Sequence, residues 1–161
     1  MKAYWSLLIA TCLWLPNLHR FFDVELSEYR QIEQIAPKAK LLAERHLNIW
    51  RNATLRAEEL DKMQRRNPEW DFMSRMYFIL ALTNMSLHDP NYQSIAIEII
   101  DVIIEDTLAI EKERGHTYFL LQYAQKSSWA IYPPRSIFID GEIAVMLGAR
   151  RFLQENDHYR Q

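Results

Sequence analysis

The chain has 161 residues, of which 49% are hydrophobic and 25% charged, a composition typical of a folded domain. Its net charge of −2 gives no electrostatic attraction to nucleic acid, so we expect no nucleic-acid partner. Three glycines and six prolines are too few for the many turns of an all-β domain, and the single cysteine, Cys12, excludes an intrachain disulfide and a cysteine zinc cluster. The composition therefore predicts an all-α fold.

Residues 1–22 resemble an export signal or a membrane anchor. Lys2 precedes a mostly apolar run, Ala3–Leu15, which is the layout of the apolar part of a signal peptide. The run is short for a transmembrane helix, which needs about 20 apolar residues, and no clear cleavage site follows it. We therefore expect an exported or membrane-anchored protein that associates with a membrane through this segment. The alternative is a cytoplasmic protein in which the segment is a core helix.

Residues 23–161 are predicted to form one helical-hairpin domain. It opens with a polar helix at Asp23–Ala36, and Pro37 then suits the first turn of a new helix. From Lys38 to Arg66, apolar residues recur at spacings of three and four, which predicts one long amphipathic helix. Its apolar face consists of Leu42, His46, Ile49, Trp50, Ala53, Ala57 and Leu60.

The next two helices form the clearest hairpin. Asn67, followed by a proline, is typical of a helix start. The segment Glu69–Leu87 is apolar on nearly every side, which predicts a helix buried among its neighbours. A short polar turn then sends the chain back, antiparallel, into an amphipathic helix at Asn91–Arg114 that ends at Gly115.

The C-terminal part repeats this layout. Thr117–Gln125 is predicted to be a short helix, and residues 126–140 form the least regular segment. A further helix is predicted at Ile143–Glu155. The stretch Ile143–Tyr159 then matches Met76–Tyr92 at an offset of 67 residues. The chain is thus predicted to be an array of antiparallel hairpins that stops where the next helix would begin. We expect an incomplete domain whose last helix can join copies of the chain.

This repeated hairpin, in Met76–Tyr92 and Ile143–Tyr159, resembles the opening hairpins of (α/α)6-toroid proteins. They are the six-hairpin superfamily of glycosidases, lyases, epimerases and related enzymes. The resemblance covers roughly residues 38–161, and a complete toroid is at least twice as long. It implies an α/α toroid or solenoid array, and the N-terminal portion of a carbohydrate-active protein that has no activity alone. The alternative is a non-catalytic helical protein that binds a partner through an exposed apolar edge.

In such toroids, the loops that lead into the inner helices line a central cleft. The resemblance therefore implies a small-molecule or carbohydrate ligand at residues 67–71 and 129–142. The implied substrate-binding residues are Trp70, Asp71, Trp129, Tyr132 and Arg135. Asp140 and Glu142 are the candidate catalytic pair, since two carboxylates near one helix start can serve general acid–base chemistry.

Each candidate also has a structural interpretation. An acidic residue such as Asp140 is favourable at a helix N-terminus, and carboxylates two residues apart point to different sides of a helix. Trp129 and Tyr132 can stack on a sugar ring or pack against the corner at Pro133–Pro134. Arg135 can pair with a substrate carboxylate. The five histidines have no spacing typical of a metal site and no nucleotide-binding motif occurs, so neither a metal nor another cofactor is expected.

Overall fold

The computed structural model describes residues 2–23, 25–32, 34–126 and 128–160. None of these residues lies in a strand, which confirms the predicted all-α class. Two 3₁₀ turns, at Pro90–Tyr92 and Asp157–Arg160, accompany the α-helices. The α-helices of the described residues are α1 (Lys2–Phe22), α2 (Leu26–Tyr29), α3 (Pro37–Arg51), α4 (Ala53–Arg66), α5 (Pro68–His88), α6 (Gln93–Arg114), α7 (Gln122–Gln125) and α8 (Ile137–Leu153).

Helix α5 is the centre of the core. It begins where the side chain of Asn67 accepts hydrogen bonds from the backbone N–H groups of Glu69 and Trp70. Helices α4, α6 and α8 all pack against it, so the predicted burial on several sides is confirmed. Full burial of a large apolar side chain contributes about 1.5–3 kcal/mol. The side chains of α5 that solvent cannot reach are Phe72, Ile79 and Leu82.

Helix α6 returns along α5 and completes the predicted hairpin. In the connection, the carboxylate of Asp89 accepts a hydrogen bond from the N–H of Asn91, and the 3₁₀ turn leads directly into α6. The helix ends at Gly115, whose φ of 87° is a conformation that suits glycine. The isoleucines that α6 buries are Ile99, Ile100, Ile103 and Ile104.

Helix α8 starts at the same end of the core as α5. The rings of Phe72, near the start of α5, and Phe138, near the start of α8, have centroids 5.6 Å apart. Helix α8 begins at Ile137, earlier than the predicted start at Ile143, because the hydroxyl of Ser136 caps its first turn. Helices α5, α6 and α8 each contact the other two and form the main layer of the core.

The C-terminal turn packs against α6. The buried guanidinium of Arg150 pairs with Asp101 of α6 and donates a hydrogen bond to the carbonyl oxygen of Gln154. The ring of Tyr159 lies 5.8 Å from this guanidinium, and its hydroxyl donates to Glu105. Burial and the negative charges of Asp101 and Glu105 raise the pKa of Tyr159. These contacts hold the last turn on the core.

The long helix predicted for Lys38–Arg66 is wrong, because the chain breaks at Asn52 into α3 and α4. The backbone of Asn52 is extended (φ −104°, ψ 107°), and its side-chain oxygen accepts a hydrogen bond of 3.0 Å from the N–H of Leu55. Asparagine favours such caps because its side chain competes with helix hydrogen bonds. Within α3, the predicted core positions Leu42 and His46 are exposed.

Two other segments are less helical than predicted. Among the described residues of Asp23–Ala36, the chain forms only α2, and this helix buries no side chain that could hold a longer one on the core. In Thr117–Gln125, the helix is confined to α7. The residues before it form turns that bury Phe119 and Leu120 in the core.

Helix α1 does not pack extensively against any other helix of the described residues. Its large apolar side chains, from Tyr4 to Phe22, are mostly exposed. Within the described part of the chain, no helix is sufficiently long and apolar to cross a lipid bilayer.

Candidate functional site

The two predicted cleft segments lie at the same end of the core, because α5 and α8 start side by side. The ring of Phe72, next to Asp71, contacts both Phe138, two residues before Asp140, and Phe119, whose centroid is 5.0 Å away. Two charged clusters form at this end. One is centred on Asp140 and the other, which is buried, on Asp71.

The carboxylate of Asp140 is held by Arg135. The guanidinium donates from Nη2 to Oδ1 at 2.6 Å and from Nε to Oδ2 at 3.1 Å, which is a two-point contact. Asp140 also lies in the first turn of α8, where a negative charge is favourable. The structure thus joins two predicted site residues. Both carboxylate oxygens already accept hydrogen bonds from Arg135. This arrangement favours a structural role for Asp140, which holds Arg135 at the start of α8.

His116 links the end of α6 to the start of α8. Its Nδ1 lies 2.8 Å from the carboxylate of Glu111, and its Nε2 accepts a hydrogen bond from the N–H of Ser136. Glu111, His116 and Asp140 each bring one potential metal-ligand atom within 4.8 Å of the others. Both ring nitrogens are engaged, however, and a guanidinium already neutralises Asp140. These contacts favour a structural role for His116, which connects the end of α6 to the start of α8, over a metal site.

The other predicted residues do not join this cluster. Glu142 is half-buried in α8 and makes no ion pair with another described residue. The ring of Trp129 packs against the core, whereas Tyr132 is 95% exposed. Trp70 is also exposed, at the start of α5. The four side chains therefore do not converge on one cavity in the described part of the chain.

Asp71 belongs to a buried cluster that also contains Arg75, Asp106 and Thr107. The Nε of Arg75 donates to Asp71 at 2.9 Å, and its Nη1 donates to Asp106 at 2.7 Å and to the hydroxyl of Thr107 at 3.2 Å. The side chains of Arg75 and Asp71 are only 1% and 2% exposed, and that of Asp106 is 29% exposed. Two carboxylates thus share one buried guanidinium.

Aromatic rings enclose this guanidinium. The ring centroids of Trp50 and Phe119 lie 5.3 and 5.5 Å from the central carbon of Arg75, within the range of a cation–π interaction. Trp50 comes from α3, Arg75 from α5 and Phe119 from the turn before α7. The cluster therefore joins three parts of the chain that are distant in sequence.

The surroundings of Asp71 shift the pKa of its carboxyl group. Burial raises the pKa of its carboxyl group, Arg75 acts in the opposite direction, and the negative charge of Asp106 raises it further. A cavity of about 290 Å³ borders this cluster between α4, α5 and α6. A titratable group with a perturbed pKa next to a cavity is a common feature of functional sites.

Sequence reasoning identified Asp71 but missed Arg75 and Asp106. The spacing of Asp71 and Arg75, four residues apart in an otherwise apolar helix, was a usable signal for a buried ion pair. Asp106 gave no such signal, because it lies in another helix and meets Arg75 only through tertiary packing.

No family model matches the chain. No curated protein and no solved structure matches it either. Function is therefore inferred from the geometry of the chain itself.

Proposed function

We propose that this chain is a membrane-anchored helical protein that attaches to a lipid bilayer through α1 and carries the helical core as its binding part. The observation behind the proposal is the exposure of the large apolar side chains of α1. Apolar side chains that the fold does not cover mark surfaces that contact a partner or a membrane.

The apolar surface of α1 surrounds the helix. Leu7, Leu8 and Ile9 are consecutive and therefore point about 100° apart, yet each is more than half exposed, at 68%, 53% and 57%. Near the two ends, Tyr4 and Phe21 are each 79% exposed. Full burial of such a side chain contributes about 1.5–3 kcal/mol, so a few of them suffice to hold a protein on a bilayer.

The charges of α1 also suit a membrane surface. The helix contains no acidic residue, and its basic residues are at its two ends, Lys2 at the start and His19 and Arg20 in the last turn. Basic groups at the level of the lipid headgroups are attracted to anionic lipids. Trp5 and Trp14 are exposed as well, and tryptophan is enriched at membrane–water interfaces.

Vesicle flotation tests this proposal. The full chain is mixed with vesicles of phosphatidylcholine and phosphatidylglycerol, and we expect it to float with them. Changing Leu8 and Trp14 to glutamate should leave the protein in the dense fraction. The matched control changes Leu87 and Trp70 to glutamate. These are the same residue types at similar exposures, 59% and 63%, but on the helical core, so this variant should float.

Two results would contradict membrane attachment by α1. One is a native chain that stays in the dense fraction with a normal helical circular dichroism spectrum. The other is equal flotation of the α1 variant and the core variant. Concentration-dependent association without lipid that is lost in the α1 variant would instead favour the alternative, a protein partner for this apolar surface.

A second candidate is the opening part of an α/α toroid or solenoid with a carbohydrate ligand. Its support is that α5 and α8 start at the same end of the core, and that α6 packs against both. Each of α5 and α8 is also followed by a 3₁₀ turn, one ending at Tyr92 and the other containing Tyr159, at the predicted repeat offset.

The carbohydrate candidate is tested by titration of soluble oligosaccharides against tryptophan fluorescence. A saturable change that disappears in Trp129→Ala or Tyr132→Ala would support it, since these are the two rings that can stack on a sugar. Loss of the same change in Asp140→Asn and Glu142→Gln would extend the site to the carboxylates. The absence of any response across the series would count against a carbohydrate ligand.

A further inference from the structure

Helix α8 has an outer face that no part of the described chain covers. Its inner face is buried in the core through Ile139 and Met146. On the outer face, Ile137, Val145 and Phe152 are 91%, 43% and 69% exposed. None of the exposed residues of α8, which is described over its whole length, is charged, whereas the outer face of a helix usually carries charged residues. These residues form the α8 face, which consists of Ile137, Gly141, Ala144, Val145, Gly148 and Phe152.

The two glycines of the α8 face leave space that the chain itself does not use. Glycine inside a helix is unfavourable relative to alanine, so it usually has a packing reason. Neither Gly141 nor Gly148 has a positive φ, and a Cβ added to either would meet no described atom within 4 Å. Packing within the described chain therefore does not require glycine at these positions. The missing side chains instead allow the backbone of another helix to approach closely.

The charges beside the α8 face fit an antiparallel copy of the same helix. Asp140 and Arg151 are about three turns apart, so they lie on the same flank of α8. Asp140 pairs with Arg135 at the start of the helix, and Arg151 pairs with Glu155 at its end. In an antiparallel pair, this flank lies beside the same flank of the other copy in reversed direction. Asp140 then lies beside the other copy's Arg151, and Arg135 beside its Glu155. A parallel pair would instead bring like charges together.

The shape of the α8 face is self-complementary in the same arrangement. Its large side chains, Ile137 and Phe152, are at the two ends, and small residues lie between them. Antiparallel packing brings Ile137 beside the other copy's Phe152, and Gly141 beside its Gly148. The midpoints of these two pairs and of the two charged pairs all fall next to Val145. A single two-fold axis at that position therefore satisfies all of them, as the interface of a symmetric dimer requires.

We propose that two copies of this chain form a homodimer by packing their α8 faces antiparallel about a two-fold axis near Val145. The face extends over about 22 Å of helix, so the buried area is at the low end for specific interfaces. We therefore expect a weak dimer with a micromolar Kd. The α8 face belongs to the helical core, so dimerisation depends neither on α1 nor on membrane attachment.

Sedimentation equilibrium of the full chain without lipid tests this dimer. Every protein in the series carries Leu8→Glu and Trp14→Glu, which remove association through the apolar surface of α1. We expect a reversible equilibrium between monomer and dimer. Gly148→Ala should weaken the dimer by about tenfold or more, because its Cβ occupies space that the other helix needs. The same change suits the monomer, since alanine is the better helix former and the added Cβ meets no described atom.

Charge reversal tests the antiparallel direction. Arg135→Glu makes the flank doubly negative at the start of α8, and Glu155→Arg makes it doubly positive at the end; both native side chains are 52% exposed. Each variant alone should dimerise more weakly than the unreversed chain, because like charges replace one matched pair. Their mixture should form a heterodimer about tenfold tighter than either homodimer, because the two altered ends then lie side by side. A parallel pair would give no such gain.

The matched control mixes Glu58→Arg with Arg65→Glu, which reverse exposed charges of the same types on α4. This mixture should associate no more tightly than its separate components. A monomer at every protein concentration would overturn the proposal, as would an unchanged Kd in Gly148→Ala. A mixture of the α8 variants that is no tighter than their homodimers, or only as favoured as the α4 mixture, would overturn it as well. None of these outcomes depends on vesicle flotation.

Discussion

Replacing Arg75 by methionine is expected to destabilise the fold strongly, because it leaves two neighbouring carboxylates without their shared cation. Removing one partner of a buried ion pair costs about 3–5 kcal/mol, since the other charge stays buried. Asp71 is only 2% exposed, so little water reaches its carboxylate, whereas Asp106 at 29% is partly solvated. We therefore expect the free energy of unfolding to fall by about 3–5 kcal/mol, a large part of the 5–15 kcal/mol typical of a domain.

The chain provides a matched control for this substitution. Arg65 pairs with Asp61 at the same spacing of four residues and at 2.5 Å, but these side chains are 71% and 57% exposed. Arg65→Met should change the free energy of unfolding by about 0.5 kcal/mol or less, because solvent screens the pair. The two variants share the residue type, the spacing and the substitution, so the difference between them measures the effect of burial.

Urea unfolding followed by tryptophan fluorescence measures both variants, and Trp50 reports directly on the cluster because its ring lies over Arg75. Adding Asp71→Asn to Arg75→Met removes one of the unpaired charges, and it should recover about 1 kcal/mol or more of the loss. Equal losses in Arg75→Met and Arg65→Met, within about 0.5 kcal/mol, would refute this reasoning.

Three other substitutions test separate contacts. Gly115→Ala should lower the free energy of unfolding by about 1–3 kcal/mol in urea, because alanine is strained at a φ of 87° although its Cβ would meet no atom within 4 Å. An unchanged midpoint would mean that the backbone relaxes. Asn67→Ala should cost about 1 kcal/mol through loss of the two capping hydrogen bonds of α5, and Asn67→Ser should retain most of that stability. Equal losses in the two variants would argue against the cap. His46→Gln should flatten the pH dependence of stability below pH 6.5. Although His46 is exposed overall, its ring packs on one side against Phe78, with centroids 5.2 Å apart. This partial desolvation and the charge of Arg45 lower the pKa of His46 in the folded chain, so the unfolded chain binds the proton more tightly and stability falls as pH decreases through this range. Thermal unfolding at about pH 7.5 and about pH 5 measures this effect, and an identical pH dependence in the two proteins would contradict it.

The hairpin of α5 and α6 could be predicted from the sequence, because its signals are local. Asn67 marks the start, Gly115 marks the end, and the apolar pattern between them has helical spacing over a long segment. The break at Asn52 was missed because the apolar spacing continues across it. Asparagine followed by a helical segment is itself a cap signal, and it outweighed that periodicity.

The candidate sites were less predictable, because their decisive contacts join distant parts of the chain. Asp140 and Arg135 are close in sequence, and their contact follows from one turn at the start of α8. The buried cluster instead depends on Asp106, 31 residues after Arg75, and on the packing of α6 against α5. Residue pattern identifies charged positions, but only tertiary packing determines which of them share a cavity.

The break at Asn52 has a consequence for motion. Helix α4, which is described over its whole length, has no buried side chain, whereas α5 and α6 contribute many to the core. Segments with few buried contacts open at a lower free energy than the whole fold. Amide hydrogens of α4 should therefore exchange with solvent much faster than those of α5 and α6. The buried cluster around Arg75 would then stay rigid while the α4 wall of the adjoining cavity opens and closes.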